Sequence, residues 1–383
     1  MVILGIESSC DETGAAIVSN GRYIRANVVA SQADLHARYG GVVPEVASRH
    51  QLEALVPVLE TAFADAGVGW ADIDAVAATY GPGLAGSLLV GLTGGKALAW
   101  ARGLPFVGVN HLEAHIYANW LRAADGHAPV LGRAEEDDIE LPGDPAFPIL
   151  ALVVSGAHTE LVYIPRHGRY ELLGQTRDDA AGEAFDKVGR LLGLGYPGGP
   201  AIQRAAATWP VGRDNLYQLP RAWIRGTYDF SFSGLKTAVL RLTEAERAAH
   251  GGDAGALDAT TVAGIAAAFQ TAVVDVLAAK TVQAARELGV RQVLLAGGVA
   301  ANVALRTRLK TELSDLRIAL SRPAIELCTD NAAMIAAAAY FHLRLGEAHG
   351  FDLDVAPGLQ LPFASHRAES APGQAAESAA TQA

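Results

Sequence analysis

An approximate internal repeat constrains this chain more than any other feature. Residues 2–18 (VILGIESSCDETGAAIV) read as an apolar run, a small polar turn and a second apolar run, and residues 149–164 (ILALVVSGAHTELVYI) repeat that layout. Each spells a β-hairpin with a tight turn of small polar residues. A second pair of matching segments follows. Residues 73–100 (IDAVAATYGPGLAGSLLVGLTGGKALAW) and 290–310 (VRQVLLAGGVAANVALRTRLK) both read as strand, glycine turn, helix. The repeat therefore predicts two α/β halves facing each other across a cleft. A ligand is expected outside the carboxyl ends of the strands, where the turns converge.

Length and charge fit that reading. The 383 residues suffice for two lobes with separate cores. Two cysteines, Cys10 and Cys328, are too few for a disulfide framework and point to a reducing compartment. The opening MVILGIESSC lacks the basic start of a secretory signal and reads as a buried strand. The apolar run from Gly81 to Leu104 is broken by glycines, Pro82 and Lys96, so it is expected to be a buried loop and helix, with no membrane contact. A formal charge of −11 argues against a broad nucleic-acid surface. However, RAEEDDIELPGD (Arg133 to Asp144) concentrates six carboxylates in what reads as an exposed insertion, leaving room for a local basic groove. The expected divisions are lobes over 1–122 and 147–350, an acidic insertion over 123–146 and a disordered tail over 364–383. Helices are expected near 48–66, 84–102, 111–123, 181–193, 199–208, 233–248, 259–287, 300–313 and 330–346.

Several motifs resemble known sites without matching them. GPGLAG (Gly81 to Gly86) has dinucleotide-type glycine spacing, but the next strand ends in Asn110 and lacks the acid that would hold a ribose. GLTGGKA (Gly91 to Ala97) has Ala97 where a P-loop carries a metal-binding hydroxyl. HLEAH (His111 to His115) differs from the zinc-protease H-E-x-x-H motif. Its Glu113 falls two residues after the first histidine, on roughly the opposite helical face from a metal-bound water. The histidine pair stands on its own: residues i and i+4 of a helix have Cβ atoms about 5–6 Å apart, suited to sharing one ion. Asp330 in CTDNAAM is a candidate third ligand, its alternative role being a helix N-cap. The turns Ser8–Thr13, Ser155–Thr159 and Gly297–Asn302, with PGGP (Pro197 to Pro200) and AGEAFDK (Ala181 to Lys187), offer backbone N–H groups of the kind that bind phosphate. Together they favour an adenine-nucleotide-like ligand. Lys236 in FSFSGLKT lies beside another small-residue turn.

With these segments IESSCDETGAAIV, YGGVVPEVASRHQ, VNHLEAHIYA, LVVSGAHTEL, DDAAGEAFDKVGRLLGLGYPGGPAI, FSFSGLKTAV, LLAGGVAANVALR and LCTDNAAM in order from residue 2 to 345, the chain resembles the tRNA threonylcarbamoyladenosine-synthesis transferases of the TsaD type, once labelled O-sialoglycoprotein endopeptidases. The resemblance implies a duplicated βββαβα fold of the actin, Hsp70 and sugar-kinase group. It implies transfer of threonylcarbamoyl from threonylcarbamoyl-adenylate to N6 of the adenosine 3′ to the anticodon (position 37), in tRNAs reading codons that begin with A, with release of AMP. It implies one metal ion, Fe(2+) or alternatively Zn(2+), on His111, His115 and Asp330. The family's adenylate positions fall on Val153, Val154, Ser155, Gly156, Ala157, Asp186, Gly199 and Asn302, and Glu12 and His158 are candidates for the general base. Implied partners are tRNA, a TsaB-like protein and a TsaE-like ATPase, in the cytoplasm. The helical stretch Leu84 to Trp100 is a candidate partner surface, and Arg38, Arg49, Arg204, Arg225, Lys236 and Arg241 are candidate phosphate contacts. Two departures stand out. Ala157 replaces the glycine of the family's S-G-G-H turn, at about 1–2 kcal/mol if that position needs positive φ. The acidic insertion exceeds the family's length and is expected to project away from tRNA. Competing readings are an ATP-dependent kinase or ATPase on the same fold, a metalloprotease, and a nucleotide-binding scaffold.

Overall fold

The computed structural model describes residues 1–123, 144–210, 216–249 and 257–363. Three antiparallel strands, β1 (Val2–Glu7), β2 (Glu12–Ser19) and β3 (Tyr23–Ser31), open the first half. Then come α1 (Ala33–Ala37), α2 (Pro44–Ala66), β4 (Ala75–Gly81), α3 (Ala85–Arg102), β5 (Phe106–Asn110), α4 (His111–Tyr117) and β6 (Arg122–Ala123). The second half repeats the plan with β7 (Ile149–Val154), β8 (Thr159–Arg166) and β9 (Arg169–Gln175). These precede α5 (Ala181–Leu191), α6 (Gly198–Ala207), α7 (Ser233–Ala249) and α8 (Ala259–Leu288). Next are β10 (Gln292–Ala296), α9 (Val303–Asp315), β11 (Ala319–Ser321) and α10 (Ala332–Arg344). The sheet orders are β5-β4-β1-β2-β3-β6 and β11-β10-β7-β8-β9. Apart from β6, one order is the other with the strands renamed, so the sequence repeat is a structural duplication.

The two sheets are joined through a shared core. Helix α10 leaves the second half and packs on β1, β2 and β5, while α4 leaves the first half and reaches β7 and β10. Residues Ala332 to Phe341 are all buried, and their small side chains let the helix lie close to the sheet. At Gly5 of β1 an added Cβ would sit 2.4 Å from the Ala332 carbonyl oxygen, so only glycine fits there. Beyond α10 the chain runs back over β5: His349 N–H donates to Phe106 O, Ala356 N–H to Tyr80 O, and Asn110 Nδ2 to Gln360 O. Farther on, Phe363 forms a bridge with Tyr170 of β9.

Several expected element ends move, each for a local reason. The helix expected over 111–123 stops at Tyr117, followed by a 3-10 turn over Ala118–Trp120, because Arg122 N–H is captured by Arg22 O and the chain joins the sheet as β6. The one expected over 300–313 splits at Asn302, whose side chain caps α9 through Leu305 N–H. Helix α2 begins earlier than expected, with Pro44 in its first turn, where the missing N–H costs nothing. The acidic insertion and the tail fall outside the described residues except at their edges. Asp144 at the insertion's end is not exposed as expected. Its side chain is buried and ion-paired to Arg22 and Arg122, and Arg22 lies over the Tyr340 and Phe341 rings. Among the described residues, α8 alone is long and apolar enough to cross a membrane, and two thirds of its apolar window (67%) is buried inside the second lobe.

Candidate active site

Helix α4 starts where β5 ends, and Asn110 Oδ1 caps it by accepting from the N–H groups of Leu112 and Glu113. The cap sets His111 and His115 on one face, with ring centroids 4.6 Å apart. Asp330 arrives from the second half. It is free of the cap role because Asn331 takes it, accepting from Met334 N–H. Asp330 Oδ1 lies 3.5 Å from His111 Nε2 and 3.2 Å from His115 Nε2, and the three candidate ligand atoms are all within 4.8 Å of one another.

The donor set fits a divalent transition metal. Nδ1 of the buried His115 has no hydrogen-bond partner, and its Nε2 has only Asp330 Oδ1 beside it at 3.2 Å, outside good hydrogen-bond geometry, so a further electrophile there would satisfy the ring. His111 Nδ1 is held 3.1 Å from Glu7 Oε2 and 3.2 Å from Ser9 Oγ, which turns Nε2 toward Asp330. A carboxylate behind a ligating histidine is the arrangement that fixes ring orientation at metal centres. Glu7 is itself fully buried and held by Thr79 Oγ1 at 2.7 Å and Ser9 N–H at 2.5 Å. Two imidazoles and one carboxylate suit Fe(2+) or Zn(2+). Burial disfavours the Asp330 carboxylate, but His111 and His115 outweigh it and hold its pKa well below the usual range. Burial likewise opposes the His111 imidazolium, which Asp330 and then Glu7 raise well above its ordinary value.

A cleft of about 1290 Å³ opens beside Asp330, with Asp11 and Glu12 on one side and Gly156, Asp186, Gly199 and Asn302 on the other. Arg190 of α5 spans the lobes, donating to Gly40 O at 2.6 Å. Asp186 Oδ1 accepts from Gly198 N–H at 2.7 Å, and burial raises the Asp186 pKa. Gly198 is compulsory, since its Cβ would fall 2.4 Å from Phe185 O, whereas Gly199 faces open space. Asn302 is largely committed: its oxygen caps α9 and its amide donates to Gln270 Oε1. Val153 and Val154 are fully buried, their side chains in the core on either side of the second sheet, so they shape the turn from behind. Within that turn, Ser155 Oγ takes the N–H groups of Ala157 and His158, leaving Gly156 as the open position on the cleft.

The expected strain at Ala157 is absent. Among the described non-glycine residues only Asn20 and Arg317 have positive φ, so alanine adopts this turn freely. Of the two base candidates, Glu12 lines the cleft, and burial followed by Asp330 and Asp11 pushes its pKa up to about 9. His158 is lowered to about 4 by burial and by His111 and His115, and is neutral at pH 7. Glu113 turns away from the ligand atoms, being buried against Tyr170 and His342. It cannot serve as a protease base. The expected basic residues are scattered over α1, α2, α6 and α7 and the loop before α7, and Arg49 and Lys236 already face Glu45 and Asp179. Glu7, Ser9 and Thr79 were not visible as site residues in the sequence. The available signal was a lone glutamate closing an otherwise apolar strand, where a buried carboxylate demands partners.

A family model for tRNA N6-adenosine threonylcarbamoyltransferase (TsaD) matches residues 23–337. The tRNA N6-adenosine threonylcarbamoyltransferase of Thermomicrobium roseum is 54% identical over 373 residues, covering 94% of this chain and 97% of that protein. The enzyme of that name from Bacillus subtilis is 51% identical, covering 94% and 96%. Among solved structures, HypF of T. kodakarensis superimposes with a TM-score of 0.54 at 15% identity, over 89% of this chain and 48% of that one, a likeness of fold alone. That likeness and the matching sheet orders bear out the duplicated two-lobed α/β fold. Taken with residues 23–337 and the relatives that align along nearly their whole length, these observations show that the chain belongs to the tRNA N6-adenosine threonylcarbamoyltransferase family, a family of transferases.

Proposed function

We propose that this chain transfers the threonylcarbamoyl group of threonylcarbamoyl-adenylate to N6 of the adenosine 3′ to the anticodon (position 37), in tRNAs reading codons that begin with A, and releases AMP. The observation that carries this reading is the placement of the His111, His115 and Asp330 cluster at the edge of a cleft whose far wall is a nucleotide-sized set of glycine turns. Asp186 is placed to accept from a ribose hydroxyl, and Gly156 and Gly199 leave room for the adenylate to lie against backbone. Holding the adduct in this way supplies rate through positioning. His111, His115 and Asp330 would hold one Fe(2+) or Zn(2+), which when bound supplies Lewis-acid polarisation of a phosphate or carbonyl oxygen. Glu7 keeps the His111 ring aimed at the cluster. His158, uncharged at neutral pH, has a lone pair for the N6 proton, whereas Glu12, its pKa pushed up to about 9, is protonated there and is the weaker candidate. The target base must leave its stack to enter.

The thin basic surface is consistent with partner proteins completing the tRNA site in the cytoplasm. A TsaB-like partner fits along α2 and α3, where Leu52, Val56, Leu89 and Trp100 are 68, 58, 51 and 74% exposed. A TsaE-like ATPase is the other partner. The test combines purified protein, synthetic threonylcarbamoyl-adenylate and unmodified tRNA, with and without those partners, followed by mass spectrometry of nucleosides. Modified adenosine and equimolar AMP are expected. ATP turnover without tRNA would instead favour a kinase-type activity, and adenylate binding without product a scaffold.

A further inference from the structure

The glutamate of HLEAH takes no part in the cleft, yet both of its carboxylate oxygens are engaged in the interior. Glu113 is 2% exposed. Its Oε1 accepts from the Tyr170 hydroxyl of β9 at 2.5 Å, and its Oε2 from His342 Nε2 of α10 at 2.8 Å. His342 Nδ1 in turn faces Glu347 Oε2 at 2.5 Å. Two ring nitrogens each against a carboxylate oxygen are satisfied together only in the imidazolium, where both donate. Helix α4 has just seven residues, too few to hold its own orientation. One of its faces carries the two histidines toward Asp330, which precedes α10, and the other is pinned by His342 near the end of α10. The two anchor points are separated by roughly 15 Å along α10.

We propose that Glu113 and His342 are positioning residues for the metal cluster: their buried ion pair fixes the rotation of α4 so that His111 and His115 converge on Asp330. This rests on the metal reading given above. Turning α4 about its axis to misalign the histidines would pull Glu113 from both Tyr170 and His342, so the back of the helix sets the geometry of its front.

The test is Zn(2+) affinity of the full chain, measured by competition with a chromophoric chelator, with AMP binding and circular dichroism followed in parallel. Glu113→Gln, which keeps shape and loses charge, is expected to weaken Zn(2+) by about tenfold or more, in the range of groups that orient ligands, with AMP binding unchanged. His342→Gln, which keeps an N–H donor toward Glu113 but loses the charge, is expected to lose part of the affinity, as is Tyr170→Phe. Should Glu113→Gln fail to fold, Tyr170→Phe and His342→Leu carry the same test, both being expected to weaken Zn(2+). If these variants bind like the parental chain while His111→Ala does not, the positioning role is refuted and the metal reading stands. If His111→Ala also binds like the parental chain, the metal reading fails and takes this inference with it.

Discussion

The two hairpin turns that face each other across the cleft share a topology and differ in nearly everything else. The turn after β1 is closed. Ser8, Ser9 and Asp11 are 1, 2 and 8% exposed, and Gln51 Nε2 alone reaches the carbonyl oxygens of Ser8, Cys10 and Glu12 at 3.3, 2.9 and 3.1 Å. Helix α3 adds to this hold, with Ser8 Oγ donating to Ser87 O and Ser87 Oγ to Cys10 O. The turn after β7 is open: Gly156 and Ala157 are exposed, and its hydrogen bonds are largely internal, to Ser155 Oγ. A duplicated fold has thus specialised one turn by locking it from behind, as a wall for charged side chains. It left the backbone of the other turn open on the cleft.

The largest effect should come from the ligand cluster that the locked turn backs. His115→Ala or Asp330→Ala is expected to cut transfer by about a thousandfold or more, the loss of several kcal/mol of polarisation, measured as threonylcarbamoyl-adenosine formed per minute by a chain whose circular dichroism is unchanged. Next, Gln51→Met keeps length and loses the donor to the Ser8 and Glu12 carbonyls, while Cys10 O keeps Ser87 Oγ. It should cost about 1–3 kcal/mol in urea unfolding and slow transfer, and a variant as stable as the parent would show that the turn holds itself. Smaller still is Ala157→Gly on the open side. Since no positive φ is needed there, glycine should bring no gain in adenylate affinity and cost about 0.5 kcal/mol through chain entropy. Tighter adenylate binding would mean that the turn changes shape around its ligand.

A last measurement concerns the joint between the lobes. Despite burial, the Glu113 carboxylate, followed by Glu347, pushes His342 up to about 9 from an ordinary 6.5, with His349 nearby. Because the folded pKa is raised, its contribution to stability is complete below about 6.5 and lost as the pH rises through about 9. Urea midpoints should fall over that window in the parent and less in His342→Gln.

What the sequence disclosed follows from which signals are local. The duplication was readable because strand, turn and helix patterns lie within short windows, and the histidine pair because four residues make one helical turn. The third strands β3 and β9 were not read from pattern, since YIRANVVAS and RYELLGQ mix exposed and buried positions without clean alternation. Val153 and Val154 followed the family motif, but their side chains belong to the sheet. Glu7, Gln51 and the Glu113–His342 pair lay beyond reach, because each draws its meaning from a partner tens or hundreds of residues away.

The long return of the chain over β5 has a consequence for the order of assembly. Asp330 follows both histidines by more than two hundred residues, and the Gln360 carbonyl that grips the residue capping their helix comes later still. Synthesis must therefore pass through both halves before the ligand set can close. A fragment that stops between His115 and Asp330 carries the two histidines without the carboxylate that faces their Nε2 atoms.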